Sequence, residues 1–345
     1  MNLDALDWAA LDRLRETFLR GVPAGSSYWR SRSDLACYDC TFGERIGWKW
    51  DAVLRELKLR GWSPPAGPLL DFGCGSGIAG RRVVTAFGAA HFTGLAVHDR
   101  SALAEEFAVA RAREEFPGLA VTRSPREQLS GEVSPGMLVV SHVVNELPAN
   151  QRRQLLALAE RAAAVLWVEP GTHADSRELI AVREALRGQF TVVAPCTHCE
   201  GCGLLASENE RHWCHHFASP PPGIFADSGW TRFAQRAGID LRSLPYSFLV
   251  LDRRAAAPSP PDLFRMLGAA RHYKGYAKAL GCTAAGVREL MIQKRDAPEL
   301  FKALKDVAAP SLFRWSVAGD RVRAGEPWPG PVPAAIPPAA VAGGL

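Results

Sequence analysis

The sequence predicts an α/β fold: a mostly parallel sheet covered on both faces by helices, preceded by a helical region and followed by a smaller basic one. Three observations carry that expectation. Short apolar runs alternate with amphipathic stretches between residues 69 and 253, the pattern of strands buried on both faces and joined by crossover helices. The first apolar run ends in a glycine-rich turn, LLDFGCGSG at 69–77. The alternation stops at a Pro/Ala-rich linker, AAAPSPPD at 255–262.

The region 1–62 reads as helical. Leu3, Leu6, Ala10, Leu14 and Phe18 recur at helical spacing, and Trp48, Trp50, Val53, Leu54 and Leu57 mark a second helix. Pro64, Pro65, Gly67 and Pro68 then break the chain. Strands are expected at PLLDFG (68–73), HFTGLAV (91–97), LAVTR (119–123), GMLVVSHV (136–143), AVLWVEPG (164–171), FTVVAP (190–195) and YSFLVLDR (246–253). Helices fall between them, at AEEFAVARAREEF, NQRRQLLALAERAA, SRELIAVREALRG and WTRFAQRAG. The sheet domain expected is thus 63–254, with a cysteine-rich insert at 194–218. Residues 262–325 form a small basic domain, and 326–345, rich in Pro, Ala and Gly, read as a disordered tail.

Composition narrows the class. A net charge of +5 permits an acidic partner such as RNA without requiring one. Eight cysteines in 345 residues are not a small disulfide scaffold, and their clustering favours metal ligation in a reducing compartment. The opening MNLDALDWAALDRLRETFL lacks the basic, apolar, small-residue order of a secretory signal. No apolar run reaches the roughly 18 residues of a membrane span. A cytoplasmic protein without membrane contact is expected, and a monomer is favoured.

DFGCGSG follows a strand and precedes a helix, where glycines let the backbone approach a ligand closely. The spacing is not the complete GxGxxG of dinucleotide enzymes. Asp71 ahead of Gly73, Gly75 and Gly77, with the small Cys74 inside the loop, looks like the S-adenosylmethionine loop of class I methyltransferases. The seven-strand order resembles the same Rossmann-like class, whose last two strands form an antiparallel pair. Asp99, at the end of the second strand, can accept both ribose hydroxyls of such a cofactor. Ser141 and His142 follow the fourth strand, where folds of this class face the methyl group. The plainer reading of His142 is a loop residue that caps the next helix. Methyltransferases acting on exocyclic amines often carry Asn/Asp-Pro-Pro-aromatic at this place. SHVVNELP has Asn145 and Pro148 but not that motif, so no catalytic base is assigned. Methyl transfer by positioning alone stands beside loss of catalysis.

Between Ala194 and Ala218 lie Cys196, Cys199, Cys202 and Cys214 together with His198, His212, His215 and His216. Thiolates select zinc or iron–sulfur clusters. The four cysteines of the segment could alone form a four-thiolate site, and zinc would also accept a histidine. Cys37 and Cys40 form a further CxxC with no second pair nearby and read as incidental.

Together LLDFGCGSG, SHVVNELP, VEPGTHADSRELIAVREAL, APCTHCEGCGL, HWCHHF, SFLVLDR and the later GCTAAGVRELMIQKR resemble the Rsm-type methyltransferase-like proteins of the mitochondrial small ribosomal subunit, which have bacterial relatives. The resemblance spans most of residues 25–325. It implies S-adenosylmethionine-dependent action on small-subunit ribosomal RNA or in ribosome assembly. It also implies a structural 4Fe-4S cluster held by Cys196, Cys202, Cys214 and Cys282, with Cys199 extra. Local spacing alone would choose Cys199; Cys282 is preferred because it would staple the basic C-terminal region to the sheet. Thr197 and Gly203 depart from the family, which has proline at both places. Two other functions stay open: a non-catalytic RNA-binding assembly factor that keeps the cofactor pocket, and a zinc-containing small-molecule methyltransferase.

For the ribosomal RNA contact the basic region offers Arg265, Arg271, Lys274, Lys278, Arg288, Lys294, Arg295, Lys302 and Lys305. RHYKGYAK at 271–278 interleaves cations with Tyr273 and Tyr276, a composition suited to phosphate pairing and base stacking. The plainer reading is a solvated face. Arg30, Arg32 and Arg45 are candidates to extend the surface.

Overall fold

In the computed structural model the described residues are 6–20, 28–124, 134–255, 259–306 and 311–328. Helix α1 (Trp8–Arg20) is followed by α2 (Arg32–Tyr38), which runs through a wider turn, Asp39–Gly43, into α3 (Glu44–Leu59). Sequence reading missed α2, whose seven residues are too few to show a periodic stripe. Its start is set by Ser31, whose side chain accepts from the Asp34 N–H.

The sheet strands are β1 (Gly67–Phe72), β2 (Phe92–His98), β3 (Val121–Arg123), β4 (Met137–Ser141), β5 (Ala164–Pro170), β6 (Thr191–Ala194), the two-residue β7 (His216–Phe217) and β8 (Pro245–Asp252). Helices α4 (Ile78–Phe87), α5 (Ala102–Glu115), α6 (Ala149–Arg161), α7 (His173–Leu186) and α8 (Ser228–Ala237) lie between them. The order is β3-β2-β1-β4-β5-β8-β6, with β7 also pairing β8. β1 to β5 are mutually parallel, and β8 runs antiparallel to β5 and β6. This is the mixed Rossmann-like sheet of the class I methyltransferase fold.

Strict alternation splits the apolar strand residues between two cores. Leu69, Val97, Val139 and Leu166 face α3, α4, α5 and α8, meeting Trp50, Leu57, Val83, Ala108 and Phe233. Leu70, Ala96, Leu138 and Val165 face α6 and α7, meeting Leu155, Leu158, Leu179 and Leu186. The near-continuous apolar strands follow from having both faces covered. The N-terminal helix α3 thus shares one core with the sheet.

The basic C-terminal region, for which no fold was foreseen, is a closed barrel. It consists of β9 (Leu263–His272), β10 (Tyr276–Thr283), β11 (Gly286–Gln293), α9 (Pro298–Ala303), β12 (Leu312–Ala318) and β13 (Arg321–Pro327), in the order β10-β11-β13-β12-β9. Its strands hid in the sequence because several inward positions are small. Ala277 and Ala279 point into the core, and Gly281 and Gly325 leave room for the Trp315 ring. A Cβ at Gly325 would stand 2.4 Å from that ring. Glu326 and Pro327 complete β13 although they fall in the stretch read as tail; residues 329–345 lie outside the described residues.

One side chain joins sheet, cysteine segment and barrel. Arg265 of β9 is 1% exposed, so it is not surface charge for RNA. Its Nε donates to the Pro195 carbonyl at 2.8 Å, and its terminal nitrogens reach both carboxylate oxygens of Glu56 on α3 and the Ser311 hydroxyl. Arg60, at the C-terminal cap of α3, joins the same carboxylate and the carbonyls of Val193, Pro195 and Cys196. Burial raises the Glu56 pKa, but Arg265 and Arg60 outweigh it and hold the group at about 2. Glu56→Gln leaves a buried guanidinium without its carboxylate, and denaturant unfolding should show a loss of about 3–5 kcal/mol. A folded pKa below the ordinary 4.5 stabilises above the unfolded value, and that stability is lost as pH falls through the folded value. The acid limb of the stability profile between pH 4.5 and about 2 should therefore flatten in this variant.

Candidate functional site

The carboxyl ends of β1, β2 and β4 meet where the strand order reverses, the place where open α/β sheets bind ligands. A cavity of about 590 Å³ opens there, within the range of small-molecule and cofactor sites. Its floor is the turn after β1, in which the Gly73 and Cys74 amides both donate to the His98 carbonyl, at 2.8 and 2.9 Å. Gly73 has φ +69°, and a Cβ there would stand 2.5 Å from Val143 Cγ2. Gly75 has φ +52°, a left-handed conformation that favours glycine, and a Cβ there would stand 4.0 Å from the Trp29 ring. Gly77 leads into α4.

Asp71 lies below this turn, fully buried. Its Oδ2 accepts from the Gly80 N–H at 3.0 Å and its Oδ1 has no partner. Burial, against the Gly80 bond, lifts its pKa to about 7. Asp99 borders the cavity just past β2; its carboxylate takes the Gly75 and Ser101 amides at 3.0 and 2.9 Å. Burial raises its pKa as well. The site residues expected around the cofactor, Gly73, Cys74, Gly75, Asp99, Ser141 and His142, all line this one cavity. Asp71 and Gly77 support it from beneath.

Beyond β4, Ser141 Oγ accepts from Trp50 Nε1 at 2.9 Å, and His142 Nε2 stands 3.2 Å from Lys49 Nζ. His142 has φ +56°, the one described non-glycine residue in that region, a conformation that costs about 1 kcal/mol or more and clusters at functional sites. Burial, then Lys49, lowers its pKa well below the usual histidine value. Burial, then Arg45, brings Lys49 down to about 7. Glu169, at the end of β5, holds the loop after β4: Oε1 accepts from the Val143 and Val144 amides and from Trp167 Nε1, while Oε2 has no partner.

Sequence reasoning missed this second wall. Ile46, Lys49, Trp50, Val53 and Leu57 recur at helical spacing, so the available signal was a lysine inside an apolar stripe. Arg45, placed on a prospective RNA surface, instead borders the cavity and donates to the Ser243 carbonyl. Tyr28, Trp29 and Tyr38 form an aromatic side of the cavity, with Trp29 and Tyr38 centroids 5.0 Å apart.

The cysteine segment leaves β6 and returns through β7, with two 3-10 turns, Gly203–Leu205 and Ser207–Asn209, between them. Its carbonyls are gathered by α7. Arg177 donates to those of Leu204, Asn209, Glu210 and His212, and Arg183 to those of His198 and Glu200. Arg183 Nε also donates to Cys196 Sγ at 3.3 Å. Cys196, Cys202 and Cys214 line one cavity of about 30 Å³, and Cys282 of β10 packs with Cys202 and Cys214 from the barrel side. Burial first, and then the neighbouring thiols, push up the pKa values of Cys202, Cys214 and Cys282. Cys196, Cys202 and Cys282 all act on Cys214, and Cys196 and Cys202 act on Cys282. Cys199 is exposed, its sulfur turned to the Val192 N–H.

No group of three or more His, Cys, Asp and Glu side chains that could hold a metal ion is present among the described residues. Neither the expected 4Fe-4S cluster nor the zinc alternative, which needs ligands about 2.0–2.3 Å from one centre, therefore finds such a group there. Cys37 is buried and accepts from the Asp7 N–H, and Cys40 is exposed and turns back to the Cys37 carbonyl. No helix among the described residues is long and apolar enough to cross a membrane.

Comparison with solved structures returns methyltransferases. The chain is similar to magnesium protoporphyrin IX methyltransferase (ChlM) from Synechocystis PCC 6803 with bound SAH, at 13% identity over 73% of this chain and 97% of that one, TM-score 0.39. It is similar to an S-adenosylmethionine-dependent methyltransferase from Clostridium acetobutylicum ATCC 824, at 11% identity over 41% and 58%, TM-score 0.31. It is also similar to M. capricolum TrmK in complex with SAH, at 7% identity over 58% and 68%, TM-score 0.31. At such scores the fold assignment rests on the strand order and not on these likenesses. No curated protein sequence matches. A family sequence profile does match, over residues 50–313, and by it the chain belongs to the family described as mitochondrial small ribosomal subunit Rsm22.

Proposed function

We propose that this chain is an S-adenosylmethionine-dependent methyltransferase acting on small-subunit ribosomal RNA, with a structural 4Fe-4S cluster. The observation that carries the cofactor reading is Asp99, an acidic group fixed by the Gly75 amide at the rim of a cavity floored by the glycine turn. Gly73, Cys74, Gly75 and Gly77 would cradle the amino-acid end, Asp99 the ribose, and Ser141 and His142 would flank the methyl group. The bound sulfonium would supply an electrophilic methyl group. Lys49, His142 and the aromatic wall would orient the acceptor and exclude water. Family membership supports the ribosomal target.

The cluster reading is supported by Cys196, Cys202 and Cys214 lining one small cavity, with Cys282 of β10 packed against Cys202 and Cys214 from the barrel side. A cluster stands between its thiolates, so its ligands need not crowd one point as those of a single ion do. It would tie the segment, through three thiolates, to β10, through one, and Arg183 would offset thiolate charge.

A second reading, a non-catalytic assembly factor that retains the cofactor, is favoured by SHVVNELP. That segment lacks the Asn/Asp-Pro-Pro-aromatic motif of amine methyltransferases, and Lys49 stands against its His142.

Asp99→Ala should weaken S-adenosylhomocysteine binding at least roughly ten-fold in calorimetry, as loss of charge-assisted bonds to two hydroxyls requires. Unchanged affinity would remove Asp99 from the ribose site. Labelled methyl groups should pass to purified small subunits and fail to do so with this variant; cofactor binding without any transfer selects the assembly factor. Anaerobically purified protein should be brown with about four irons per chain. Cys282→Ser should lose the colour and Cys199→Ser keep it; a colourless wild type with no iron would end the cluster reading.

A further inference from the structure

In the barrel the third and fifth strands, β11 and β13, are parallel, and α9 lies between the third and fourth. This is the connectivity of oligonucleotide-binding barrels, which use the face of the second and third strands with the first and last loops. Topology alone assigns no ligand, so the side chains on that face decide.

Along β10, Ala277 and Ala279 point into the core, so Tyr276 and Lys278 point outward. Tyr273, in the loop before β10, lies parallel to Tyr276 with centroids 4.6 Å apart and 15° between the planes. Tyr273 is 45% exposed, and neither ring belongs to the barrel core. Two stacked rings with a free side form a platform on which an unpaired base continues the stack. Cations surround it. Arg271 and Lys278 share Glu289, Lys274 caps the loop, Lys294 donates its amide to Gly275, and Arg321 is in register with Met291 of β11. Arg271 and Lys278 are thus paired with Glu289, and Asp296 is held by Arg295 and Arg323.

We infer that this face, β10 and β11 with the loop 273–275 and the turn 319–320, binds single-stranded RNA, with Tyr273 and Tyr276 as its stacking platform. The inference rests on the ribosomal RNA reading and names the surface that serves it. Duplex RNA keeps its bases stacked within the helix, out of reach of the rings. The far end of the same strands is already covered. Cys282 and Val287 pack with Leu204 and Cys202 of the cysteine segment, and a Cβ on Gly203 would meet Gly286 at 2.8 Å. The free half of the face therefore starts where the sulfur-lined cavity ends.

The test is fluorescence anisotropy of the full chain with a labelled oligouridine of about twelve nucleotides. Tyr273→Ala and Tyr276→Ala should each weaken binding roughly ten-fold, with Tyr273→Phe near wild type. Lys274→Glu should weaken it and reduce the salt slope by about one. Arg153→Glu, an exposed change of equal charge on α6, should have no effect. Both alanine variants should keep the wild-type melting temperature. Wild-type affinity in the alanine variants, or equal competition by a duplex, overturns the inference. Cosedimentation with purified small subunits separates the two claims. If both alanine variants cosediment as the wild type does and bind oligouridine equally well, this face is wrong and the ribosomal reading stands. If the wild type neither binds oligouridine nor cosediments, both fall.

Discussion

The buried guanidinium of Arg265 is the contact on which the arrangement of the molecule depends. It reaches from the barrel to α3 through Glu56, to the start of the cysteine segment through Pro195, and back into the barrel through Ser311. A buried ion pair is weak evidence for stability in itself, because desolvation offsets most of the attraction. Its effect here is geometric. Each bond has a fixed direction, so barrel, segment and sheet can dock in only one mutual orientation. The convergence of Cys282 with the three segment cysteines presupposes that orientation.

The cavity above the glycine turn shows a related use of burial. Three carboxyls, Asp71, Glu146 and Glu169, are lifted to about 7 chiefly by loss of water, and Lys49 is lowered to about 7 for the same reason. Acids and a base brought near neutrality beside one cavity are the condition for moving protons at ordinary pH. Asp71 and Glu169 each keep one unpartnered oxygen, which a protonated carboxyl tolerates better than a charged one.

The sheet was legible because its strands are apolar on both faces and each ends at a turn signal. The expected strand segments all overlap observed strands, and β8 lies antiparallel between β5 and β6. The glycine turn and Asp99 could be placed because their chemistry depends on local spacing. Lys49 could not, since its role comes from α3 crossing over the end of β4, a tertiary fact. The barrel was invisible for another reason: Ala277, Ala279 and Gly281 blur the two-residue alternation that marks a strand. Arg265 looked like its basic neighbours, and only packing sets it apart.

The cysteine segment leaves the sheet at β6 and re-enters at β7, and both lie alongside β8. A chain whose two ends are pinned to one strand can lengthen or shorten at slight entropic cost. The strands that frame the glycine turn, β1, β2 and β4, lie on the other side of β5. This architecture therefore leaves the segment free to vary in length while the strands that frame the glycine turn keep their register.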